Sequence, residues 1–277
     1  VALPPLNRFL VEDLIRSTRA AQLLGESHER PPVNMEALEE ILLNISEMVC
    51  ELPWLQELDI NPLIIDENGA IAADARIAID YATPSGDRYS HMAIHPYPTQ
   101  LIQDWEQPDG RVVTIRPIRP EDAGMEQEFV KNMSDESKYY RFMDTLRELT
   151  QSMLIRFTQV DYDREMALVA IHKQRTAGAD GHIVETERMV GVSRYVTNPD
   201  RSSCEFALVV ADDFNGKGLG SRLMLSIMDV AREKGLSEID GLVLANNPGM
   251  LKLMRSLGFS IKAYAEDPDF KFVTHKL

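Results

Sequence analysis

A glycine-rich segment in the C-terminal third of the chain has the composition of a phosphate-binding loop. The segment Asn215–Gly220 (NGKGLG) follows an apolar run, Phe206–Val210, and precedes a run with the apolar spacing of an amphipathic helix. Its three glycines leave backbone N–H groups unshielded at the positive end of the helix dipole, where a pyrophosphate binds. The spacing matches neither a Walker A loop nor a dinucleotide fingerprint. Taken by itself, the loop is therefore either an anion-binding site or a plain connector.

Glu205 is the residue best placed to act as an acid or a base. It lies at the start of the strand that leads into the glycine-rich loop, and that strand is apolar on both faces. The pattern predicts a central, covered strand, where a carboxylate is costly unless it is paired or faces a wet cleft with a raised pKa. A raised pKa suits a general base near neutral pH. An ion pair with Arg194 or Arg201 is the structural alternative, and spacing alone does not separate the two.

A second group of polar residues lies near the N-terminus, in a predicted hairpin. The hairpin spans residues 55–79, with a turn at Asn68-Gly69. If the turn has two central residues, Leu63 faces Asp74, and Asn61 and Asp74 become diagonal neighbours on one face. Two oxygen ligands so placed suit Mg²⁺ beside a nucleotide phosphate. A solvated hairpin face is the alternative.

Two modules joined by a linker must position these groups. In residues 1–80 the apolar spacing predicts a helix from Pro4 to Leu24 and a second helix capped by Asn34, followed by the hairpin. Residues 81–110 contain several proline and glycine clusters and are interpreted as a linker. Residues 111–277 form the second module, with predicted strands over 111–116, 166–172, 188–197, 204–210, 238–244, 260–265 and 270–275, and predicted helices over 121–132, 134–143, 150–158, 218–234 and 248–257.

Composition limits the class of protein. With 277 residues, of which 44% are hydrophobic, the chain is long enough for two domains, and its net charge is −15. Such a charge argues against binding to a nucleic-acid backbone and favours cationic partners. The sequence shows no signal segment or membrane-spanning run, and two cysteines without CxxC spacing, Cys50 and Cys204, predict buried reduced thiols and the cytoplasm. Because Val1 begins within a pattern, we interpret the sequence as a fragment of a longer protein.

Two motifs carry a family resemblance in the second module. Asn215-x-x-Gly218-x-Gly220 resembles the pyrophosphate loop of the GNAT superfamily of acetyltransferases. The run from Asn247 to Phe259, about thirty residues further on, resembles the segment that follows this loop in the same superfamily. Residues 116–123 resemble its opening strand and capped helix. The resemblance implies an α/β (α+β) domain with a mixed central sheet.

The GNAT resemblance implies roles for individual residues in acetyl-CoA binding and acyl transfer. The reaction needs an amine that has lost its proton, donors for the oxyanion and a departing thiolate. Glu205 occupies the position at which several protein-lysine acetyltransferases of this superfamily carry their general base. Met254 stands where many members have a tyrosine as general acid, so the acid is unassigned among Tyr139, Tyr140, Tyr195 and Tyr264. The residues implied in cofactor binding are Leu208, Val209, Val210, Asn215, Gly216, Lys217, Gly218, Leu219, Gly220, Ser221 and Asn247, the last of which is alternatively only a helix cap.

Residues 1–80 resemble a different family. The run Glu57–Leu63, together with Ala73–Arg76, looks like the last subdomain of the ATP-grasp module in NDP-forming acyl-CoA synthetases. That resemblance implies a metal-binding role for Asn61 and Asp74, beside a Mg-nucleotide. It covers only the C-terminal part of such a module, without the portion that cradles the nucleotide. We therefore expect no synthetase reaction from this segment.

The order of the two modules is similar to that of bacterial Pat-type protein lysine acetyltransferases. The runs Glu136–Phe142 and Asp161–Ala170 resemble this group rather than GNAT enzymes at large. The resemblance implies transfer of acetyl from acetyl-CoA to lysines of metabolic enzymes, notably AMP-forming acyl-CoA synthetases, with no nucleic acid or membrane as partner. Two alternatives are a small-amine acetyltransferase that acts on polyamines and a non-catalytic acyl-CoA sensor.

Overall fold

The chain divides into two compact units, Val1–Pro96 and Tyr97–Leu277. The computed structural model describes residues 1–24, 31–81, 89, 91–143, 146–177 and 183–277. No helix in these described segments is long and apolar enough to cross a membrane. Both cysteines are free thiols buried in the protein, as predicted, one in each unit.

The first unit begins with three helices, α1 (Arg8–Arg16), α2 (Ala21–Leu24) and α3 (Met35–Glu51). The predicted cap of α3 is confirmed, because the Asn34 side chain accepts a hydrogen bond from the Ala37 N–H at 3.0 Å. Helices α1 and α3 pack against each other. They form the centre of this unit.

The single helix predicted from Pro4 to Leu24 is wrong. Helix α1 begins only after Asn7, whose side chain caps it, and it ends at Ser17. The hydroxyls of Ser17 and Thr18 each donate to a backbone carbonyl three residues earlier, at 2.7 Å. Such local hydrogen bonds compete with the helical ladder, so the chain turns before α2 begins.

Four short strands complete the first unit in two antiparallel pairs. Strand β1 (Leu55–Ile60) pairs with β4 (Ala75–Ile79), and β2 (Leu63–Ile65) pairs with β3 (Ala70–Ala72). Every residue of β4 is exposed, and the buried hydrophobic side chains among the described residues of this unit lie on α1 and α3. The first unit therefore has a small core.

The register of this hairpin differs from the predicted one because its turn is longer. The Asp66 carboxylate accepts from two backbone N–H groups ahead of it, at 2.8 and 3.0 Å, and so holds a four-residue turn that closes at Gly69. Leu63 consequently faces Ala72 instead of Asp74. Asn61 lies directly opposite Asp74, to whose carbonyl its N–H donates at 3.1 Å.

An eight-stranded mixed sheet forms the centre of the second unit. Its strands are β5 (Gln103–Glu106), β6 (Val112–Pro117), β7 (Glu165–Ala177), β8 (Ile183–Thr197), β9 (Ser203–Val210), β10 (Glu238–Leu244), β11 (Ser260–Ala263) and β12 (Phe270–Lys276). They lie in the order β11-β12-β10-β9-β8-β7-β6-β5. Neighbouring strands are antiparallel except β9 and β10, which are parallel.

Five helices flank this sheet, namely α4 (Ala123–Lys131), α5 (Asp135–Phe142), α6 (Gln151–Thr158), α7 (Leu219–Glu233) and α8 (Pro248–Ser256). Each predicted helix and strand of the second module is present, with ends that differ by a few residues. Strands β7 and β8 are the exception, because both extend well past their predicted ends. Their outer parts carry charged cross-strand pairs, such as Lys173 with Glu185 and Glu187, rather than an apolar alternation.

The linker predicted over residues 81–110 is wrong in its second half. The second unit begins at Tyr97, and β5 pairs with β6 as the edge of the sheet. The cluster Pro108-Asp109-Gly110 is the turn of this hairpin, in which the Gln107 N–H donates to the Arg111 carbonyl at 2.8 Å and Gly110 has φ of 84°. Proline and glycine punctuate tight turns as well as linkers, and here they form a turn.

Helix α7 packs closely on the sheet and so places the glycine-rich loop. A Cβ atom on Gly191 of β8 would lie only 2.8 Å from the Leu223 side chain, so only glycine permits this approach. The Ser193 hydroxyl, fully buried beside it, donates to the Leu223 carbonyl at 3.1 Å. The N-terminus of α7 is therefore held at the C-terminal end of β9.

Candidate active site

The candidate site lies where two neighbouring strands separate. Strand β9 pairs with β10 at three positions, the last of which joins Glu205 to Asp240. Both strands continue beyond this point, β9 to Val210 and β10 to Leu244, without further pairing between their described residues. On its other side, β9 stays paired with β8 as far as Val210. The divergence therefore opens a cleft along the second half of β9.

This cleft has a volume of about 690 Å³ and is built from four segments of the second unit. Its walls come from the end of β9, the glycine-rich loop with the start of α7, one side of α8 along its length, and one side of α5. The predicted cofactor residues that line it are Leu208, Val209, Val210, Asn215, Gly216, Gly218, Gly220, Ser221 and Asn247. The fold thus brings most of that predicted set into one cleft.

The glycine-rich loop ends as the N-terminus of α7. Gly216 and Gly218 adopt left-handed conformations, with φ of 73° and 87°, which other residues rarely occupy. Gly218 is the N-cap and supplies no side chain. Within the described residues, the N–H groups of Leu219, Gly220 and Ser221 therefore have no hydrogen-bond partner. Three free N–H groups at the positive end of a helix can donate to an anion, and the binding of a pyrophosphate there stays a prediction.

Two of the predicted cofactor residues do not line the cleft. The side chain of Leu219 is fully buried in the core beneath α7. The Lys217 amine lies 2.9 Å from the Asp213 carbonyl oxygen and 3.7 Å from the Asp109 carboxylate, which holds it beside the β5–β6 turn. Both side chains therefore point away from the cleft, and any contact of these residues with a cofactor passes through the backbone.

Asn247 occupies the junction between β10 and α8. Its side-chain oxygen accepts from the Met250 N–H at 2.9 Å, which makes it the N-cap of α8. The same residue lines the cleft opposite the end of β9. The capping alternative is therefore confirmed, and direct contact with a cofactor stays a prediction.

Glu205 lies beside the point where β9 and β10 separate. Its side chain is on one face of β9, and α7 packs on the opposite face. Its side chain is exposed, so the prediction of a strand covered on both faces is wrong at this position. The alternative of an ion pair is not supported either. Arg194 pairs with Glu126 at 3.7 Å, and Arg201 pairs with Asp163 at 3.9 Å. The Glu205 carboxylate is therefore accessible to an incoming amine.

A second carboxylate lies next to Glu205. Asp240 of β10 is its register partner, and residues so paired on neighbouring strands point to the same face. Burial raises the pKa of Asp240 above its ordinary value, and the negative charges of Glu205 and Glu238 raise it further, against a hydrogen bond from Asn198. This part of the sheet therefore presents negative charge, which attracts a cationic acceptor.

Comparisons with known proteins identify the family. Residues 143–259 match the Acetyltransferase (GNAT) family, and residues 1–79 match the ATP-grasp domain. Over 161 residues the chain is 35% identical to Acetyltransferase PA5475 of Pseudomonas aeruginosa, in an alignment that covers 58% of this chain and 80% of that protein. The chain belongs to the GNAT family of acetyltransferases. The prediction of an acetyltransferase is confirmed.

The two parts of the chain match different proteins. The solved GNAT domain of PAT from S. lividans superposes with a TM-score of 0.57 at 27% identity, covering 66% of this chain and all of that one, which confirms the predicted GNAT fold. Over 75 residues the chain is also 37% identical to subunit beta of the ADP-forming acetate–CoA ligase I of Pyrococcus furiosus. That alignment covers 27% of this chain and 32% of the subunit, so the chain spans about a third of it. An ATP-grasp segment ahead of a GNAT domain is a Pat-like fusion.

Helix α5 of the GNAT domain contributes cleft residues that were not predicted as site residues. Its first turn is tied to the segment that precedes the glycine-rich loop, because the Asp212 carboxylate accepts from the Ser134 N–H at 2.7 Å and from the Ser137 hydroxyl at 2.6 Å. Spacing of three and four residues on one helix side is the pattern that indicates a common face. The residues of α5 that line the cleft are Glu136, Ser137, Tyr140 and Arg141.

Of the four tyrosines considered as general acid, Tyr140 is the one that lines the cleft of the GNAT domain. Its hydroxyl lies 2.8 Å from Glu136 Oε1 and 2.9 Å from the Asn246 carbonyl oxygen. The hydrogen bond to Glu136 raises the pKa of Tyr140. Met254, at the position where many GNAT enzymes have a tyrosine, is fully buried. Tyr140 is therefore the phenol of this set that a ligand in the cleft could contact.

The hairpin of the ATP-grasp segment places Asn61 opposite Asp74 but does not enclose a cation. Both residues are exposed, and the Asp74 carboxylate lies 3.7 Å from the Arg76 guanidinium. The part of the chain that the structure describes holds no group of three or more His, Cys, Asp or Glu side chains able to bind a metal ion. Mg²⁺ completes an octahedral shell with phosphate and water, so these two residues supply only part of a site. Their metal-binding role stays a prediction.

Proposed function

We propose that this protein transfers an acetyl group from acetyl-CoA to the ε-amine of lysine side chains in other proteins, with Glu205 as the general base. The observation that carries the proposal is the separation of β9 from β10, which opens the cleft directly beyond an exposed carboxylate. The donor and the amine would meet along one strand, because the cleft follows the second half of β9 and Glu205 lies at the beginning of that strand.

The shape and charge of the cleft support acetyl-CoA as the donor. Its pyrophosphate would bind the free N–H groups at the start of α7, where the helix dipole favours an anion. The Lys252 side chain lines the same cleft and adds positive charge. From the loop, the pantetheine arm would follow the open edge of β9 past Val210 and Val209, whose backbone groups match its amides. This path leads the thioester towards Glu205.

Glu205 would remove the proton that keeps the acceptor unreactive. A lysine ammonium has a pKa of about 10.4 and no free lone pair, so the amine needs a base near neutral pH. Once the proton is on the carboxylate, the nitrogen attacks the thioester carbonyl carbon. A C–N bond forms, the C–S bond breaks, the acylated nitrogen releases its second proton to water, and CoA leaves as a thiolate. Because a thiol has a pKa near 8.5, the thiolate leaves readily and then takes a proton from water or from Tyr140.

The surroundings of Glu205 support a cationic acceptor carried by a protein. Asp240 and Glu238 lie on the neighbouring strand, and the chain as a whole has a net charge of −15. The Pat-like order of the ATP-grasp and GNAT segments supports protein lysines as targets, and AMP-forming acyl-CoA synthetases in the cytoplasm are the substrates we propose. An acidic surface speeds the encounter with a basic patch on such a partner.

The test offers the protein and acetyl-CoA three acceptors at equal amine concentration, namely a folded AMP-forming acyl-CoA synthetase, the same synthetase denatured, and spermidine. Mass spectrometry measures acetyl transfer to each. We expect the folded synthetase to react fastest, and its kcat/KM to fall with added salt because the Debye length shortens to about 8 Å at physiological strength. Faster acetylation of spermidine than of any protein would establish the small-amine alternative. Acetyl-CoA binding without transfer to any acceptor would establish the sensor.

A further inference from the structure

Arg141 is a charged residue that lines the cleft, and none of the steps proposed above uses it. It lies on α5, one turn beyond Ser137, which anchors the helix through Asp212 to the segment that precedes the glycine-rich loop. Four residues of helix rise by about 6 Å, so Arg141 lies further along the cleft than this anchor. Its guanidinium interacts electrostatically with Glu205, at the other end of β9. Helix α5 therefore runs from the pyrophosphate end of the cleft towards the base, and Arg141 lies between them.

The hydrogen-bonding capacity of this guanidinium is unused. In the described part of the chain, Arg141 has no hydrogen bond and no ion pair within 4.0 Å, and its contacts are with the rings of Phe142 and Phe157, at 5.2 and 6.0 Å. Burial lowers the pKa of Arg141 to about 10, the charge of Arg194 adds to this effect, and Glu126 and Glu205 oppose it. The group is therefore a protonated, half-buried guanidinium on the wall of the cleft, with five N–H donors to offer.

The neighbouring charges do not use those donors. Arg194 of β8 forms its own ion pair with Glu126 at 3.7 Å, donates to the Phe157 carbonyl at 2.9 Å and packs on the Phe157 ring. Both members of that pair are buried. A guanidinium that lines the cleft and has no partner among the described residues is free to donate to a ligand oxygen. The ligand expected here is the acyl end of the donor.

We propose that Arg141 binds the acyl group of the donor, its guanidinium donating hydrogen bonds to the thioester carbonyl oxygen and to the oxyanion that forms when the amine attacks. This assignment rests on the proposed acetyl transfer. When the amine nitrogen bonds to the carbonyl carbon, the C=O electron pair moves to oxygen, and the negative charge develops there. When the C–S bond breaks, the electron pair on oxygen re-forms the C=O bond and the thiolate carries the negative charge away. A cation held beside this oxygen stabilises it most in the transition state, where its negative charge is largest.

Two other roles make different predictions. A merely structural Arg141 would support the packing of α5 on β9, and its loss would weaken binding of CoA and acetyl-CoA alike. A guanidinium that recognises a carboxylate would favour acyl groups with an acidic tip, such as malonyl or succinyl. The carbonyl role affects acetyl-CoA but not free CoA, and turnover more than binding.

The test compares the parent with Arg141→Gln, Arg141→Lys and the control Arg147→Gln, which removes an exposed arginine that does not line the cleft. Calorimetry measures the affinities for CoA and acetyl-CoA, and single-turnover kinetics measures transfer from acetyl-, malonyl- and succinyl-CoA to a folded acceptor. We expect Arg141→Gln to bind CoA like the parent, to lose about tenfold in affinity for acetyl-CoA, and to lose about 10²–10³-fold in rate. Arg141→Lys keeps the charge without the planar fork and should recover part of the rate.

Three results would overturn the assignment. The first is a rate for Arg141→Gln within about threefold of the Arg147→Gln control. The second is an equal loss of CoA and acetyl-CoA affinity, which indicates a structural role. The third is a parent that prefers malonyl- or succinyl-CoA through Arg141, which indicates recognition of a carboxylate. If the parent transfers acetyl to no acceptor, the proposed function fails, and the ratio of acetyl-CoA to CoA affinity still decides the role of Arg141.

Discussion

The cleft of the GNAT domain and the hairpin of the ATP-grasp segment both hold residues that a family resemblance predicts to bind ligands, yet they are built differently. The cleft collects backbone and side chains from α5, β9, the start of α7 and α8. The hairpin offers two opposed residues, Asn61 and Asp74, both exposed. A resemblance marks where a site belongs in a fold, and packing decides whether the site is complete.

Burial beneath the two regions explains why one of them can position a ligand. Leu219, Leu223 and Ile227 of α7 are fully buried, so the free N–H groups at the start of this helix are fixed by the core. In the hairpin, all five residues of β4 are exposed. A group held by packed neighbours keeps its geometry, whereas exposed groups are free to move apart. We therefore expect substitutions in the cleft to have large effects and substitutions in the hairpin to have small ones.

The largest effect should come from Glu205→Gln. Amide nitrogen and oxygen cannot accept the proton of a lysine ammonium, so turnover near neutral pH should fall by roughly 10²–10⁴-fold. Affinity for acetyl-CoA should stay near that of the parent, because Glu205 does not line the cleft. Steady-state kinetics on a folded acceptor and calorimetry with acetyl-CoA measure the two quantities. The matched control is Glu233→Gln, which neutralises an exposed carboxylate at the end of α7.

Near-normal turnover in Glu205→Gln, or a loss shared by Glu233→Gln, would contradict the assignment of the base. Loss of folding in Glu205→Gln would show that the carboxylate has a structural role. That result would require a partner other than Arg194 and Arg201, which are paired elsewhere.

The second effect in size concerns Gly218→Val. Its φ of 87° is unfavourable for a β-branched side chain, so the backbone at this N-cap should shift and displace the free N–H groups that we expect to bind the pyrophosphate. We expect the variant to lose the stabilisation by acetyl-CoA, which amounts to about 2.7 kcal/mol at a ligand concentration of 100 Kd. Thermal unfolding with and without acetyl-CoA measures this loss.

Gly235→Val controls for backbone strain. Gly235 has φ of 77° and lies beyond the other end of α7, and a Cβ atom added to it would meet no other atom within 4 Å. Both variants should be less stable than the parent without ligand. If Gly218→Val still gains the parent's full stabilisation from acetyl-CoA, the loop is only a connector and the contrast with the hairpin disappears.

Features that depend on residues close together in the sequence were predicted in both regions. Apolar periodicity located the helices and strands of the second unit from β6 onwards, because most of them bury one side in a shared core, and it missed the edge strand β5, which has no buried residue. The caps Asn34 and Asn247 and the loop Asn215–Gly220 followed from short-range backbone chemistry. These features need only neighbours in sequence. They hold in the small first unit as well as in the large second one.

Features that depend on distant packing were not predicted. The exposure of Glu205 results from β10, which leaves β9 at Asp240, more than thirty residues later in the chain. The cleft role of Arg141 depends on how α5 packs across β9, some seventy residues away. The hairpin register is a local exception, because it depended on whether Asp66 would hold a four-residue turn with the two residues Asn68 and Gly69. In each case an alternative local pattern was equally compatible with the sequence.

A smaller effect concerns the pKa of Asp240, the carboxylate beside Glu205. Because the pKa of Asp240 is raised in the folded protein, the folded state binds the carboxyl proton more tightly than the unfolded chain does. The protein therefore loses stability as the pH rises from the pKa of Asp240 in the unfolded chain through its pKa in the folded protein. Asp240→Asn should therefore gain stability relative to the parent across that window, with a constant difference above it. Urea unfolding at a series of pH values measures the gain.

The pKa of Asp240 also distinguishes the effects of its two charged neighbours, Glu205 and Glu238. After burial, Glu205 raises it most and Glu238 less. NMR titration of the Asp240 carboxyl should therefore show a larger fall in pKa for Glu205→Gln than for Glu238→Gln. A pKa that does not respond to either substitution would mean that the carboxylates do not form the acidic surface we assign to the acceptor side.

The smallest expected effect is the one that tests the hairpin directly. Asn61→Ala and Asp74→Ala remove exposed side chains, and substitutions of this kind usually change the free energy of unfolding by less than about 0.5 kcal/mol. Acetyl transfer by both variants should match the parent. Mg²⁺ with ADP should not raise the melting temperature of the parent either, because the two residues supply one carboxylate and one amide, and that carboxylate already lies 3.7 Å from Arg76. Acetyl-CoA in the same assay is the positive control. A rise with Mg²⁺ and ADP that Asp74→Ala abolishes would show a complete nucleotide site in this segment, and the hairpin would then rank beside the cleft as a functional centre.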